Sequence, residues 1–315
     1  EREEPERLLP DLKSIVVLAH PYDPGLANSS RREEANISRY AWGEDYHEVL
    51  GDKLRALSDW LRDQVPQIHC FPSVDAQPVL EKGWAAKAGI GWLGKHTNLI
   101  DPDQGSYFFI SVLLTNFPFS PDAPEQDHCG TCRACMDVCP TGAIVAPYIL
   151  DAALCISYLT IELKGPIPRE LRPAIGNRIF GCDDCQEVCP WNRFSRVTGE
   201  ERFHLRNRWV HRPLVEFLSL TPADFKREFS HSPMSRPKWK GMMRNVLVAI
   251  GNSGKAEWAP AVREKFAEEE PLIRGHAVWA YHRLLGEESL PVLQQLQDQE
   301  TDPWVLEELK SIFRN

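Results

Sequence analysis

No apolar stretch in these 315 residues approaches the roughly 20 needed to cross a membrane. The opening, Glu1-Arg2-Glu3-Glu4-Pro5-Glu6-Arg7, is charged and has no apolar segment behind it, so neither a span nor a secretory leader is expected here. A uniformly basic surface is excluded as well, because the formal net charge is −9. The scattered cysteine pairs of a secreted scaffold are also missing. Eight of the nine cysteines lie between Cys129 and Cys189, which fits a reducing, cytoplasmic location. The glycine-rich stretch Ala88-Gly89-Ile90-Gly91-Trp92-Leu93-Gly94-Lys95-His96 lacks the marks of a nucleotide loop: it follows a helical segment, and its spacing is neither G-x-G-x-x-G nor a P-loop. Three glycines in six residues mean either backbone close to a ligand or a tight helix-to-strand turn.

What is present is a cysteine pattern of high specificity. Cys129-x2-Cys132-x2-Cys135-x3-Cys139-Pro140 is a complete cluster-binding run, and Cys182-x2-Cys185-x3-Cys189-Pro190 is a second run short of one cysteine, with Ile179 in its place. In the two-cluster pattern the last cysteine of each run ligates the other cluster. One [4Fe–4S] cluster then takes Cys129, Cys132, Cys135 and Cys189. The other takes Cys139, Cys182 and Cys185, with Cys155 completing it. Zinc sites or disulfides are the bland alternatives. Cys70, between Ile68 and Phe71, reads as a plain buried thiol.

The chain divides into three expected segments: 1–120, 121–200 and 201–315. In the first, 14–19 and 106–114 read as strands and 45–65 and 79–88 as helices, an α+β or α/β arrangement. Residues 120–125, with Pro121 and Pro124, read as a linker into a ferredoxin-like two-cluster domain. The last segment repeats itself: Pro271 and Pro303 are 32 residues apart, and Pro260 and Pro291 are 31 apart, a period expected of HEAT-like helical repeats. It begins with a basic island. From Arg202 to Arg244 ten basic residues face three acids, leaving −16 on the rest. Such an island either receives an anionic partner such as nucleic acid or balances an acidic neighbour. Asp75, in Val74-Asp75-Ala76-Gln77-Pro78, reads on its own as a helix N-cap, with a proton donor as the alternative.

Several motifs together resemble one family. They are Ser38-Arg39-Tyr40-Ala41-x-Gly43-x-Asp45-Tyr46-His47, Val74-Asp75 with Pro78, Lys87-Ala88-Gly89-x-Gly91-Trp92-x-Gly94-Lys95-His96, Cys155-Ile156-Ser157-Tyr158, and Gly181-Cys182-Asp183-Asp184-Cys185-Gln186 through Cys189-Pro190-Trp191-Asn192-Arg193. They closely resemble epoxyqueuosine reductases, from about residue 8 to the last repeats. The resemblance implies an N-terminal cobalamin-binding domain, two [4Fe–4S] clusters, an epoxyqueuosine-bearing tRNA as substrate, an external electron donor that no residue identifies, and Asp75 as proton donor. The corrinoid motif Asp-x-His-x2-Gly is absent, since Leu50 follows Asp45-x-His47 at the glycine position, so no histidine ligand to cobalt is expected. Lys95, Leu99, Ile110 and Ser157 are the expected cobalamin contacts. Arg236, Lys238, Lys240, Arg244 and Asn245 are the expected tRNA contacts, with Trp239 offering an aromatic face. Reductive dehalogenases and non-catalytic cluster carriers are the rival classes. The first are commonly exported; the second leaves the segment before residue 120 without purpose.

Overall fold

The apolar run after Tyr107 becomes the centre of a sheet. In the computed structural model, residues 4–206 and 208–314 are described; residues 1–3 of the charged opening, Asn207 and Asn315 lie outside them. Strand β1 (Ser14–Pro21), helix α1 (Tyr46–Gln64), strand β2 (Cys70–Ser73), helix α2 (Glu81–Lys87) and strand β3 (Phe108–Thr115) form its frame. The sheet order is β1-β3-β2, antiparallel throughout, with His20 opposite Phe109 and Ser73 opposite Val112. The expected α/β character of this segment is therefore corrected to α+β: α/β layers need parallel strands joined by crossovers. β3 is buried along seven of its eight residues because helices cover both faces. Phe109 and Leu113 face α1 through Leu50 and Leu54, while Phe108, Val112 and Leu114 pack with Ala85. Pro72 sits in β2, an edge strand where a missing N–H costs no ladder bond. β3 starts at Phe108, two residues later than its pattern suggests, because Ser106 N–H instead donates to Asn192 Oδ1 at 2.6 Å.

The chain forms two compact units that interleave along the sequence. The first comprises residues 1–26, 39–151 and 183–206; the second comprises 27–38, 152–182 and 207–315. Besides the sheet, the first unit holds the short helices Ala134–Val138 and Asp184–Glu187, which pack together and bring parts of the two cysteine runs side by side.

The second unit is mostly helical: α3 (Ile156–Ile161), strand β4 (Arg178–Phe180), α4 (Lys238–Ser253), α5 (Pro271–Leu285) and α6 (Pro303–Phe313). α5 packs against both α4 and α6. The repeating prolines occupy the first turns of Ala259–Glu264, α5, Leu290–Gln297 and α6, where a missing N–H is harmless. Glycines set the close crossings. A Cβ on Gly251 would meet the Trp279 ring at 2.5 Å, and one on Gly275 would meet the Trp304 ring at 2.2 Å. Among the described residues no helix is long and apolar enough to cross a membrane.

Candidate functional site

Cys129, Cys132, Cys135 and Cys189 line one cavity of about 250 Å³ in the first unit. None of the nine cysteines is in a disulfide. Among the described residues no three His, Cys, Asp or Glu side chains converge as they would on a single metal ion. Burial and the neighbouring Cys129, Cys189 and Cys132 push the Cys135 thiol up. Burial first, and then the neighbouring Cys129 and Cys132, raise the Cys189 thiol as well.

The wall of this cavity explains the glycine-rich stretch. Gly89 has φ +77° just after α2, and a Cβ on Gly91 would sit 1.9 Å from the Ile100 carbonyl oxygen. The glycines therefore serve a tight helix-to-strand turn in which backbone meets backbone. That turn delivers three side chains. Lys95 is buried, and its Nζ donates to the carbonyls of Gly130 at 2.6 Å and Cys132 at 2.8 Å, bracing the first cysteine run. Trp92 Nε1–H donates to Cys129 Sγ at 3.5 Å. His96 is buried, burial lowers its pKa to about 4, and its Nδ1 accepts the Asn98 N–H at 3.1 Å. Its Nε2 has no protein partner, a state that costs about 1–3 kcal/mol unless something else accepts the bond.

The other four cysteines fall in both units. In the first, Cys139 Sγ accepts the Ala143 N–H at 3.3 Å, and Cys185 lies on Asp184–Glu187. In the second, Cys155 immediately precedes α3, and Cys182 follows β4 and Gly181 (φ +71°). The Gly181 N–H donates to Thr160 Oγ1 at 3.0 Å, tying the segment before Cys182 to the helix after Cys155. Ile179, where the regular pattern has cysteine, points into the core and is fully buried.

Asp75 lies on a loop after β2 at φ +51° and is exposed. It caps nothing: the N-cap of α2 is Leu80, without a side-chain bond. The Tyr46 hydroxyl donates to Asp75 Oδ2 at 2.5 Å, and Tyr46 stacks on Phe109 with ring centroids 4.4 Å apart. Burial and the Asp75 charge raise the Tyr46 phenol, so it keeps its proton and donates. Glu81 accepts the Asp75 N–H at 2.7 Å and the Ser73 hydroxyl at 3.3 Å, and burial first, then the Asp75 charge, raise its carboxyl. The sequence signal for Tyr46 is its place in Asp45-Tyr46-His47; nothing in the sequence marks Glu81. A second cavity, about 550 Å³, is lined by Arg39, Tyr107, Glu187, Cys189 and Asn192, with the Tyr107 hydroxyl and Arg39 Nε unpartnered.

The expected cobalamin residues divide. The ammonium of Lys95 is spent on carbonyls and Leu99 packs in the core, leaving their main chain rather than their side chains for a ligand. Ile110 is the one residue of β3 that is half-buried rather than buried, and it packs against the core. Ser157 is half-buried on α3.

The expected tRNA residues divide too, and two are corrected. Arg244 is fully buried, with its guanidinium donating to the carbonyls of Leu159, Leu163 and Gly165, each at 2.7 Å, and to Asn245 Oδ1. Asn245 Nδ2 donates to the carbonyls of Thr160 and Ile179. With their donors on main-chain carbonyls and, for Arg244, on Asn245 Oδ1, and both residues fully buried, neither presents a group to a phosphate. Trp239 is also pinned, its indole N–H donating to the Leu220 carbonyl at 2.7 Å. Arg236 and Lys240 are exposed and meet Glu162 and Glu270; Lys238 is exposed at the start of α4. Much of the remaining island is neutralised, as in Arg202 with Glu44 and Asp52 or Arg208 with Glu228.

Residues 2–76 match the family described as "Epoxyqueuosine reductase QueG, DUF1730", and residues 128–192 match a 4Fe–4S double cluster binding domain. The epoxyqueuosine reductase of Escherichia coli K12 is 42% identical over 284 residues, covering 89% of this chain and 75% of the relative. That of Pseudomonas aeruginosa is 41% identical, covering 90% and 80%. A crystal structure of an epoxyqueuosine reductase with an epoxyqueuosine-modified tRNA-Tyr stem loop superposes with a TM-score of 0.91 at 35% identity, over 98% of this chain and 84% of that one. A Bacillus subtilis reductase, solved with an aspartate catalytic loop swung out of the active site, superposes at 0.86 and 34% identity, covering 98% and 84%.

Proposed function

This chain belongs to the epoxyqueuosine reductases, oxidoreductases of tRNA queuosine biosynthesis, and we propose that it removes the epoxide oxygen of epoxyqueuosine at the wobble position of a tRNA, in the cytoplasm, with two [4Fe–4S] clusters and cobalamin. The observation that carries this reading is the cavity whose wall holds Cys129, Cys132, Cys135 and Cys189. These residues would hold one cluster, and Cys139, Cys155, Cys182 and Cys185 the other. Ile110, Ser157 and the main chain around Lys95 and Leu99 would hold the corrin. When bound, cobalamin collects electrons delivered singly and presents them as a pair to the substrate.

Opening the epoxide to the alkene and water consumes two electrons and two protons. Asp75 supplies one proton to the departing oxygen, and solvent, which reaches this exposed residue, supplies the other. The Tyr46 hydroxyl then stabilises the carboxylate that remains, and the Glu81 bond to the Asp75 N–H holds the loop in place. The B. subtilis structure with its aspartate loop swung out supports a loop of this kind that moves. Repeating helices of HEAT type, with Arg236, Lys238 and Lys240, would grip tRNA phosphates, while the modified base is extruded for reaction.

The test is conversion of epoxyqueuosine-bearing tRNA by reconstituted protein, followed as loss of one oxygen from the nucleoside. Asp75→Asn keeps the shape and the Tyr46 hydrogen bond. It should lower turnover by about 10²–10⁴ with iron and cobalamin retained. Near-wild-type turnover would exclude Asp75 as the donor.

A further inference from the structure

His96 stands apart in the cysteine cavity because one side of its ring is satisfied and the other is not. Its Nδ1 accepts the Asn98 N–H at 3.1 Å, so the proton of the neutral ring is on Nε2. That Nε2–H is buried, has no protein acceptor, and belongs to a ring lining the same cavity as the four thiols. The turn packs closely on the ring: a Cβ on Gly94 would meet His96 Cε1 at 3.1 Å and Ile100 Cδ1 at 2.5 Å. Four residues earlier in the chain, Trp92 Nε1–H already reaches one of these sulfurs, Cys129 Sγ.

The geometry points to His96 Nε2–H as a hydrogen-bond donor to sulfur of the cluster held by Cys129, Cys132, Cys135 and Cys189, acting with Trp92 to set its reduction potential. Reduction adds negative charge to the cluster, and donors to its sulfurs stabilise that state and raise the potential. His96 is a positioning and tuning residue here, and no ligand bond is asked of it, since four cysteines fill the iron sites. The inference rests on the cluster reading above. A wild-type chain that takes up no iron would sink that reading, whereas the outcomes below address His96 alone.

The test compares wild type, His96→Phe and His96→Gln in the full chain after anaerobic reconstitution. Iron and sulfide content, thermal midpoint, redox titration followed by EPR, and exchangeable-proton couplings after transfer to D2O are measured. His96→Phe keeps the ring and loses the donor. It should keep iron and stability, shift one cluster to a more negative midpoint, and lose one exchangeable-proton coupling. His96→Gln, which retains an N–H at similar reach, should recover part of both changes, and the second cluster serves as an unshifted control. Unchanged midpoints and couplings in His96→Phe would overturn the proposal. So would equal loss of iron and thermal midpoint in both variants, which would make the ring a packing element. A strong nitrogen coupling in wild type would overturn it as well, by making His96 a ligand.

Discussion

Two buried histidines, one beside the cysteine cavity and one in the helical stack, differ in a way that separates site from scaffold. His96 and His276 are both held neutral by burial. His276 Nδ1–H donates to the Leu272 carbonyl at 2.7 Å, and its Nε2 accepts the Ile167 N–H at 3.3 Å, so both nitrogens are used. His96, which lines the cavity, uses one and leaves the other buried without a partner. The buried cations repeat the contrast in milder form. Arg244 closes a network around α3 and the segment after it, whereas Lys95 braces the loop that carries Cys129 and Cys132. A polar network finished within the protein is architecture, and one left open marks a place where something else completes it.

Removing the centre of the finished network should have the largest effect on stability. Arg244→Met keeps the stem and deletes the fork, leaving the carbonyls of Leu159, Leu163 and Gly165 without that donor. At about 1–3 kcal/mol for each unsatisfied buried group, a loss of about 3 kcal/mol or more is expected by chemical denaturation. Because Arg244 and Asn245 hold the helix after Cys155 and the strand before Cys182, the spectrum of one cluster should change with it. Lys95→Met is the counterpart: iron should fall by about half, as the first cysteine run loses its brace, while the helical stack keeps its stability. If both variants lose fold and iron alike, the distinction between the two networks fails.

The sequence exposes the parts of this molecule whose signal is spacing. The cysteine runs, the proline period and the apolar pattern of α1 each map onto elements close to their expected bounds, because 3.6-residue and ligand spacings are local properties. What stays hidden depends on where a side chain ends up. Arg244 counts as one charge among ten in the basic island, and only its burial shows that it serves carbonyls. Lys95 and His96 read as the tail of a glycine loop until the turn folds them into the cavity wall. Asp75 reads as a cap because Asp before a helix usually is one, yet its left-handed backbone and the Tyr46 hydroxyl give it a different setting. The antiparallel sheet is equally illegible, since interleaved strands and helices are compatible with either direction.

Acid should test the finished histidine. The folded-state pKa of His276 is depressed well below its ordinary 6.5 by burial and by Arg172, so the folded protein binds fewer protons there than the unfolded chain. Stability from this group is fully present above 6.5 and falls as pH drops below it, by about 1.4 kcal/mol per pH unit at most. Denaturation midpoints measured between pH 7 and pH 5 should fall, and His276→Gln should flatten the slope. An equal slope in the variant would assign the acid sensitivity elsewhere.

The smallest effect on the fold should come from the exposed cations, where the comparison turns from buried networks to surface ones. Arg236–Glu162 and Lys240–Glu270 are solvent-exposed pairs, of a kind usually worth about 0–1 kcal/mol, so a phosphate can displace either carboxylate at little cost. Among the described residues Lys238 has no ion-pair partner, and it heads α4 beside them. Charge reversal at Lys238 and Lys240 should therefore change stability by no more than about 0.5 kcal/mol and leave iron content intact. Binding of epoxyqueuosine-bearing tRNA should weaken, and the dependence of log K on log salt should flatten by ~0.7–0.9 for each phosphate that is no longer neutralised. The same measurement on Asn245→Ala should show an unchanged salt slope for the folded fraction, because Asn245 reaches only main-chain carbonyls and Arg244. A double variant that binds tRNA with the wild-type slope would place the grip outside this surface, and a flattened slope in Asn245→Ala would return the buried pair to the tRNA interface.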